Sequence, residues 1–215
     1  MKQGALLDVD PHVRRAFDFY ETPAWMTRAL LRRYPFPGNR YWTIVEPCAG
    51  DGAILRELPQ AGHKIIDNDF DLSHVGRQFH LDATKRATWE AFTRVRNGYQ
   101  SLEVVVTNPP FNVSLPIVEL AYEYATIGVA MLLRLSWLEP TEEEHATRKL
   151  YPRGPFLEAH PPTRIIVLPR WGFRKQVKTG TDMVCCAWFL WAKQPWFCEP
   201  GIEVVTKREM RELQA

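Results

Sequence analysis

An open α/β sheet with mostly parallel strands is the fold that this 215-residue chain predicts. Short runs of β-branched and apolar residues alternate with helical patterns through the first half of the chain. A Gly-x-Gly turn follows the first such run, as at the start of nucleotide-binding βαβ units. Acidic or amide residues follow this run and the three after it. Because parallel strands bring their carboxyl ends to one edge of a sheet, we expect those side chains to converge at a ligand site.

The first predicted helix begins at the pair Thr22-Pro23. Threonine as the N-cap residue, with proline in the first helical position, is a common helix start. Trp25, Met26 and Leu30 then recur at helical spacing and predict an apolar face. We therefore expect an N-terminal helical segment within residues 1–35.

The first strand is predicted at 41–45, and the Gly-x-Gly turn lies within the run 46–52 that follows it. Glycines let the backbone approach a ligand closely, and a helix predicted at 54–60 would offer the N–H groups of its first turn. Leu55 stands where the dinucleotide fingerprint has its third glycine, and Glu46 places a carboxylate at the strand end. These departures argue against a pyrophosphate and indicate a ligand with an amino or cationic group.

The second strand is predicted at 63–66 and leads into an acidic segment. An acid at the end of this strand is where such folds bind a ribose hydroxyl pair. Asp69 is favoured over Asp67 for that role, because Phe70 follows it directly and is placed to pack on a purine ring. A solvated Asp/Asn turn without a ligand is the alternative interpretation.

Two more strands are predicted at 78–81, before Asp82, and at 102–106, before the loop Asn108-Pro109-Pro110-Phe111. The two prolines fix backbone angles and remove N–H donors, so the loop carbonyls are held with few local partners. Beside an amide and an aromatic ring, these carbonyls suit a flat ligand that carries an amino group. A rigid Pro-rich turn is the alternative, and the convergence of this loop with the acids at the neighbouring strand ends favours the pocket.

The second half of the chain is predicted to complete the sheet. Its elements are a helix at 116–125, strands at 127–133, 164–168 and 183–191, a polar, Pro-rich excursion at 139–163, and a charged end at 207–215 that is a short helix or a tail.

The loop at 169–181 combines basic and aromatic side chains that suit a phosphate backbone and exposed bases. A solvated hairpin loop is the alternative interpretation. The residues expected to contact substrate here are Trp171, Phe173, Arg174, Lys175 and Lys178.

Composition and charge exclude several functional classes. A net charge of +2 gives no global field of the kind that marks a strongly basic nucleic-acid binder, so any basic footprint must be local. The four cysteines lack metal-ligand spacing, and we expect reduced thiols, no metal and a cytoplasmic location. We expect no signal peptide, because the first residues include acids and no long apolar segment. No run reaches the ~18 apolar residues of a membrane span.

Two motifs together resemble the S-adenosylmethionine-dependent amino-methyltransferases, and specifically the N6-adenine DNA methyltransferase group. Glu46-Pro47-x-x-Gly50-x-Gly52 matches the cofactor motif of that family, and Asn108-Pro109-Pro110-Phe111 matches its more specific catalytic motif. The segment 17–23 resembles an extra cofactor motif that precedes the first strand in one class of these enzymes. The resemblance covers about residues 17–192. It implies a Rossmann-like class I methyltransferase fold with a mostly parallel seven-stranded sheet, an antiparallel edge strand and helices on both faces.

The resemblance also implies a reaction, the transfer of a methyl group from S-adenosylmethionine to the N6 amine of adenine. Asn108 and the Pro109 carbonyl would accept hydrogen bonds from the target amine, and Phe111 would stack on the flipped base. Trp171 or Phe173 would supply the opposite wall of the base pocket.

For the cofactor, the resemblance implies that Asp69 binds the ribose, that Phe70 packs on the adenine and that Asp82 binds the adenine amino group. The full set of residues expected around the cofactor is Tyr20, Thr22, Pro23, Glu46, Pro47, Ala49, Gly50, Gly52, Asp69, Phe70, Asp82, Ala83 and Asn108.

The chain is expected to be a single methyltransferase domain over 1–215, with no room for the separate target-recognition domain of many family members. Substrate selectivity would then come from the loops at 139–163 and 169–181, or from a partner. DNA is the expected substrate, and RNA bases or glutamine side chains of proteins are alternatives within the enzyme class. A catalytically silent methyltransferase fold that binds nucleic acid is a further alternative, against which the complete set of motif residues argues.

Overall fold

The helices of this protein pack around a seven-stranded sheet. The structure is a computed structural model and describes residues 21–34, 41–59, 62–95, 98–140, 152–172, 183–194 and 197–215. The strands of the sheet are β1 (Trp42–Glu46), β2 (His63–Asp67), β3 (Leu102–Thr107), β4 (Ala125–Arg134), β5 (Arg164–Val167), β6 (Cys186–Ala192) and β7 (Gly201–Val204). Two short ribbons lie apart from this sheet, and they join Arg94–Val95 to Gly98–Tyr99 and Trp171–Gly172 to Met183–Val184.

The strands follow the order β7-β5-β6-β4-β3-β1-β2 across the sheet. The pairs β1–β2, β1–β3, β3–β4 and β5–β7 are parallel. Strand β6 runs antiparallel to both of its neighbours, β4 and β5, and lies third from the β7 side of the sheet. The fold class expected from the sequence, a mostly parallel seven-stranded sheet with an antiparallel strand, is confirmed, although the antiparallel strand was expected at the edge and has β5 and β7 beyond it.

Helices cover both faces of the sheet, as expected. They are α1 (Ala24–Arg33), α2 (Arg86–Thr93), α3 (Ser114–Tyr124), α4 (Gly154–Ala159) and α5 (Lys207–Gln214). Successive residues of β3 enter different core clusters, so that Val105 packs with Trp89 of α2 and Val104 packs with Trp25 of α1. This double burial explains why β3 is a continuous apolar run instead of an alternating one.

The helix expected at 54–60 is absent from the structure. The segment after Gly52 forms hydrogen-bonded turns, in which Arg56 N–H donates to the Gly52 carbonyl at 3.0 Å and Leu58 N–H donates to the Ile54 carbonyl at 3.1 Å. Gly52 has a φ of 79°, and Pro59 disfavours helical geometry in the residue before it. These two residues bound the stretch 53–58, which forms turns instead of a regular helix.

The strand expected at 78–81 is also absent, and only an isolated parallel bridge joins Asn68 to Phe79. The side chain of Asn68 takes the place of a strand partner. Its Nδ2 donates to the Leu81 carbonyl at 2.9 Å, and its Oδ1 accepts from Leu81 N–H at 2.8 Å. Because the Asn68 amide already pairs with the backbone N–H and carbonyl of Leu81, these groups need no partner from a neighbouring strand.

The charged end of the chain is helical. In α5 the Thr206 hydroxyl caps the helix by accepting from Glu209 N–H at 3.2 Å. Strand β7, which sequence analysis did not predict, adds an edge next to β5, and α5 then packs on α1 through Arg28, whose Nη1 donates to the Leu213 carbonyl at 2.9 Å. No helix in the described part of the chain is long and apolar enough to cross a membrane.

Candidate active site

A cavity of about 350 Å³ opens at the carboxyl ends of β1, β2 and β3. Each of these strands leads into a segment that lines it. Most residues expected from the sequence to contact cofactor or target amine lie in its wall: Thr22, Glu46, Pro47, Ala49, Asp69, Phe70, Asp82, Ala83, Asn108, Pro109, Pro110 and Phe111.

Three of the expected cofactor residues are not among those that line the cavity. Gly50 and Gly52 have φ values of 51° and 79°, a backbone region that favours glycine, and they shape the turn behind the lining residues. Pro23 precedes α1, and its carbonyl accepts from Met26 N–H at 2.9 Å. The expected contacts at Tyr20, Phe173, Arg174, Lys175 and Lys178 lie outside the described residues.

Trp171 was expected as a wall of the base pocket, but it does not line the cavity. Its ring packs edge-on against Trp25 of α1, with 5.7 Å between the ring centroids, and it belongs to the core on that face of the sheet. The short ribbon with Val184 holds Trp171 in this position. The sequence predicts a loop around Trp171, and its local pattern gives no sign of the short ribbon that holds the ring.

Glu46 ends β1 and is 1% exposed. Its Oε2 atom is buried and accepts no hydrogen bond from any described residue. Burial raises the pKa of Glu46 well above its ordinary value; the Arg77 guanidinium opposes this rise, and Asp67 and Asp69 add to it. A buried acceptor that lacks a donor costs about 1–3 kcal/mol, so a cavity ligand with an N–H group would relieve this cost.

Asp69 presents the opposite situation, because its carboxylate is engaged by the protein. One oxygen accepts from Gly50 N–H at 2.7 Å, and the other accepts from Asp71 N–H at 2.8 Å. Nδ1 of His74 lies 3.1 Å from the same oxygen as Asp71 N–H, and its Nε2 lies 3.6 Å from Asp51. Asp69 therefore ties the glycine turn to the segment after β2.

Asn68 positions Asp82, another acid that was expected at the cavity wall. It is fully buried, and its Nδ2 also donates to the Pro47 carbonyl at 2.8 Å, so it joins the segments after β1 and β2 to the backbone before Asp82. Asp82 Oδ1 accepts from both the backbone N–H of Thr84 at 2.9 Å and the hydroxyl of Thr84 at 2.7 Å. This turn fixes the Asp82 carboxylate at the cavity wall.

Arg77 supports the glycine turn from behind. Its Nη1 lies 3.2 Å from Asp67 Oδ2, and both side chains are mostly buried. A Cβ atom added to Gly52 would lie 3.2 Å from the same nitrogen. The guanidinium therefore leaves little space beside Gly52. It also supplies a positive charge that opposes the acids around Glu46.

Asn108 is held by Thr22, which differs from the role expected for Thr22. Helix α1 begins at Ala24 with Pro23 as its N-cap, and no side chain caps it. The Thr22 hydroxyl instead accepts from Asn108 Nδ2 at 3.0 Å. Because Pro23 carries the chain into the helix, Thr22 faces the catalytic-motif loop. The contact sets which end of the Asn108 amide is turned toward α1.

The loop 108–111 is buttressed from α3 and the turn after β4. The Ser114 hydroxyl donates to the Phe111 carbonyl at 3.0 Å, and Trp137 Nε1 donates to Ser114 Oγ at 3.0 Å. On its other side, the guanidinium carbon of Arg134 lies 4.9 Å from the centroid of the Phe111 ring. Backbone and ring of Phe111 are therefore both held by partners.

The cavity lining limits the chemistry that it supports. Burial raises the pKa of the Cys48 thiol, so Cys48 is protonated at neutral pH and provides no thiolate nucleophile. Among the described residues, no group of three or more His, Cys, Asp or Glu side chains could hold a metal ion. The arrangement suits binding and positioning of an amine by fixed acceptors.

Sequence reasoning missed three residues that shape this site, namely Asn68, His74 and Arg77. The segment from 68 to 80 has little regular structure, so its contacts have no periodic signal. Asn68 offered the nearest clue, because a lone amide between two acids at a strand end often bonds to backbone.

Solved structures of methyltransferases share this fold, although no protein-family model and no curated protein sequence matches the chain. The type I restriction-modification system methyltransferase subunit from Streptococcus thermophilus is 14% identical, with a TM-score of 0.56 over 90% of this chain and 52% of that one. The type I restriction enzyme EcoKI M protein is also 14% identical, with a TM-score of 0.50 over 87% of this chain and 50% of that one. The O-methyltransferase from Bacillus cereus in complex with SAH is 11% identical, with a TM-score of 0.50 over 84% of each chain.

The chain spans about half the length of the two type I proteins that it matches. At these identities the likeness establishes a common architecture and leaves substrate and cofactor to be argued from the site. By its architecture, the chain has the fold of the S-adenosylmethionine-dependent methyltransferases.

Proposed function

We propose that this protein transfers a methyl group from S-adenosylmethionine to the N6 amine of adenine in DNA. One observation carries the proposal: buried Glu46, whose Oε2 has no hydrogen-bond donor among the described residues, lines the same cavity as the acceptor loop that begins at Asn108. An acceptor for an ammonium group and acceptors for an aromatic amine are the two needs of an amino-methyltransferase. Both needs are met within about 350 Å³.

The cavity residues fit the cofactor. Glu46 would accept from the α-amino group of its methionine part, which supplies the donor that Oε2 lacks. Asp69 and Phe70 would adjoin the ribose and adenine, and Asp82 would accept from the adenine amino group. When bound, the cofactor supplies an electrophilic methyl group on a sulfonium centre.

The chain's own residues would prepare the amine for transfer. The lone pair of an aromatic amine is delocalised into its ring, which makes the amine a weak nucleophile. Asn108 Oδ1 and the Pro109 carbonyl would accept its two N–H bonds and favour a pyramidal nitrogen with a more available lone pair. Phe111 would stack on the base and fix its plane. Their contribution is positioning and electrostatic stabilisation.

DNA is proposed as the substrate on two supports. The catalytic-motif loop resembles that of enzymes acting on adenine, and the type I proteins that share the fold are restriction-modification methyltransferases. A base within a duplex cannot reach such a cavity, so the target must be flipped or already unpaired. The proposed contacts of Phe173, Arg174, Lys175 and Lys178 would hold the surrounding strand.

Asn108→Ala tests the proposal. The variant should bind S-adenosylmethionine with nearly unchanged affinity in calorimetry, while its transfer of labelled methyl to DNA falls by about 10²–10³-fold, the range for loss of one positioned polar group. Gln214→Ala is the control, because Gln214 is an exposed amide of α5 and does not line the cavity. Full activity of Asn108→Ala would contradict the proposal.

A further inference from the structure

Arg134 ends β4 beside the catalytic-motif loop, and neither the sequence motifs nor the comparisons give it a role. Strands β3 and β4 are parallel and pair Thr107 with Met131, so the residues that follow each strand leave the sheet at the same edge. Arg134 is the last residue of β4, three residues beyond Met131, and its guanidinium carbon lies 4.9 Å from the centroid of the Phe111 ring. Its position is thus fixed by the sheet that also fixes the Asn108 loop.

The described part of the protein does not neutralise the charge of Arg134. Within the described part of the chain, no carboxylate forms an ion pair with its guanidinium, and its buried Nε donates no hydrogen bond. Its strand partner is Cys186, whose pKa burial raises to about 12, so the facing thiol is neutral. The described contact of the guanidinium is with the Phe111 ring, 4.9 Å away.

Two other partly buried arginines, Arg33 and Arg77, are paired with acids. Arg33 is bound by Glu203 and Glu209, both at 2.8 Å, and Arg77 is bound by Asp67 at 3.2 Å. Burying the charge of an arginine without an acidic partner costs free energy, unless a ligand supplies the opposing charge. A guanidinium binds the oxygens of a phosphate group with matching planar geometry.

We propose that Arg134 binds a phosphate of the substrate strand next to the target base, while its guanidinium stays on the ring of Phe111. The inference rests on the proposed function, because Phe111 is the surface on which the base would stack. A nucleotide joins its base to its phosphates through one sugar, so a base on Phe111 brings a phosphate within reach of a long side chain. Base stacking and backbone binding would then be coupled through one arginine.

The salt dependence of oligonucleotide binding tests this inference. A fluorescently labelled, adenine-containing single strand, as DNA and as RNA, is titrated with the protein between about 50 and 200 mM salt. Loss of one phosphate contact lowers the slope of log affinity against log salt by about 0.7 on a single strand. Arg134→Gln should show that decrease. Arg134→Lys should keep the slope, because its charge remains, but bind more weakly, because an ammonium lacks the planar, forked donors of a guanidinium.

Arg208→Gln is the matched control, since Arg208 carries the same charge on α5 with a side chain that is 89% exposed and lies outside the cavity. It should leave the slope unchanged. An unaltered slope in Arg134→Gln would show that Arg134 only orders Phe111 and would overturn the inference, as would an absence of oligonucleotide binding by the wild type. The proposed function fails separately, if the wild type transfers no methyl group to DNA whatever the slope.

Discussion

Glu46 and Asp69 are two carboxylates of one cavity wall that the protein treats in opposite ways. Glu46 is buried at the end of β1 with an oxygen to which no described residue donates, whereas both oxygens of Asp69 accept backbone N–H bonds and one also lies 3.1 Å from His74 Nδ1. The strands before them are neighbours in parallel register. Similar residues at similar places in a sheet can therefore serve different ends, one kept for a ligand and the other used to fix a loop.

The difference is one of cost. A partnerless buried oxygen destabilises the protein without ligand, and selection keeps such a cost where binding recovers it. A carboxylate that accepts from three groups stabilises the fold and contributes to a ligand only through its remaining lone pairs. Substitution of Glu46 should therefore change mainly the affinity for the cofactor, and substitution of Asp69 should change mainly the free energy of unfolding.

Glu46→Gln should produce the larger effect on the cofactor. A hydrogen bond to a charged group contributes roughly 1.5–3 kcal/mol to binding. Without it, the affinity for S-adenosylmethionine measured by calorimetry should fall by about tenfold to about a hundredfold. The pKa of Glu46 is raised in the folded protein, so its ionised form lowers stability at neutral pH. The variant without ligand should accordingly unfold at higher urea concentration than wild type. Unchanged affinity would show that Glu46 is not the ammonium acceptor.

Asp69→Asn should show the reverse pattern. An amide can accept from Gly50 N–H or from Asp71 N–H but cannot replace the carboxylate at both, so the free energy of unfolding should fall by about 1–3 kcal/mol in urea denaturation. Cofactor affinity should fall less than in Glu46→Gln. If affinity is lost while stability is kept, Asp69 is the ligand-binding acid and the comparison is reversed.

The pH dependence of cofactor binding sharpens the contrast. An ammonium ligand favours ionised Glu46, whereas burial raises the pKa of Glu46 in the protein without ligand. Affinity should therefore weaken as pH falls through that raised pKa, and binding above it should require no proton release. Calorimetry in two buffers of different ionisation enthalpy measures the protons released, and Glu46→Gln corrects for titration of the cofactor itself.

Arg77 should set the position of this pH dependence. Its guanidinium opposes the rise in the pKa of Glu46, against Asp67 and Asp69 and together with Arg56. Arg77→Met should move the loss of affinity to higher pH, and Arg77→Lys, which keeps the charge, should move it less. Identical pH profiles for wild type and Arg77→Met would show that Arg77 does not influence the pKa of Glu46.

Thr22→Val should give the smallest effect. It removes the acceptor of the 3.0 Å hydrogen bond from Asn108 Nδ2, and one such bond contributes about 1 kcal/mol, which is about fivefold in rate. Thr22→Ser keeps the hydroxyl and should keep the transfer rate. A Thr22→Val enzyme with wild-type turnover would show that Asn108 is oriented by other contacts.

The sequence predicted the parts of the site that follow directly from strands. Glu46 and the loop 108–111 each come immediately after an apolar run, so their placement depends only on where a buried strand ends. Thr22 was predicted to cap α1, but its hydroxyl instead accepts from Asn108 Nδ2, a residue distant in sequence. Tertiary contacts of this kind leave no trace in local spacing.

The irregular segment after β2 was the least predictable part. Apolar alternation at 78–81 predicted a strand, but the Asn68 amide satisfied the backbone there. Arg77 and His74 act through partners that are distant in sequence or in irregular turns, and a charged residue in a polar segment is more often solvated. The fold class was predictable because it depends on the order of buried strands.

The most direct measurement is transfer of labelled methyl from S-adenosylmethionine to DNA, RNA and protein in parallel, with nucleoside and amino-acid analysis of the products. We expect label in DNA as N6-methyldeoxyadenosine, and loss of that label in Asn108→Ala. Label confined to RNA or to glutamine side chains, or no transfer despite cofactor binding, would contradict the proposed function.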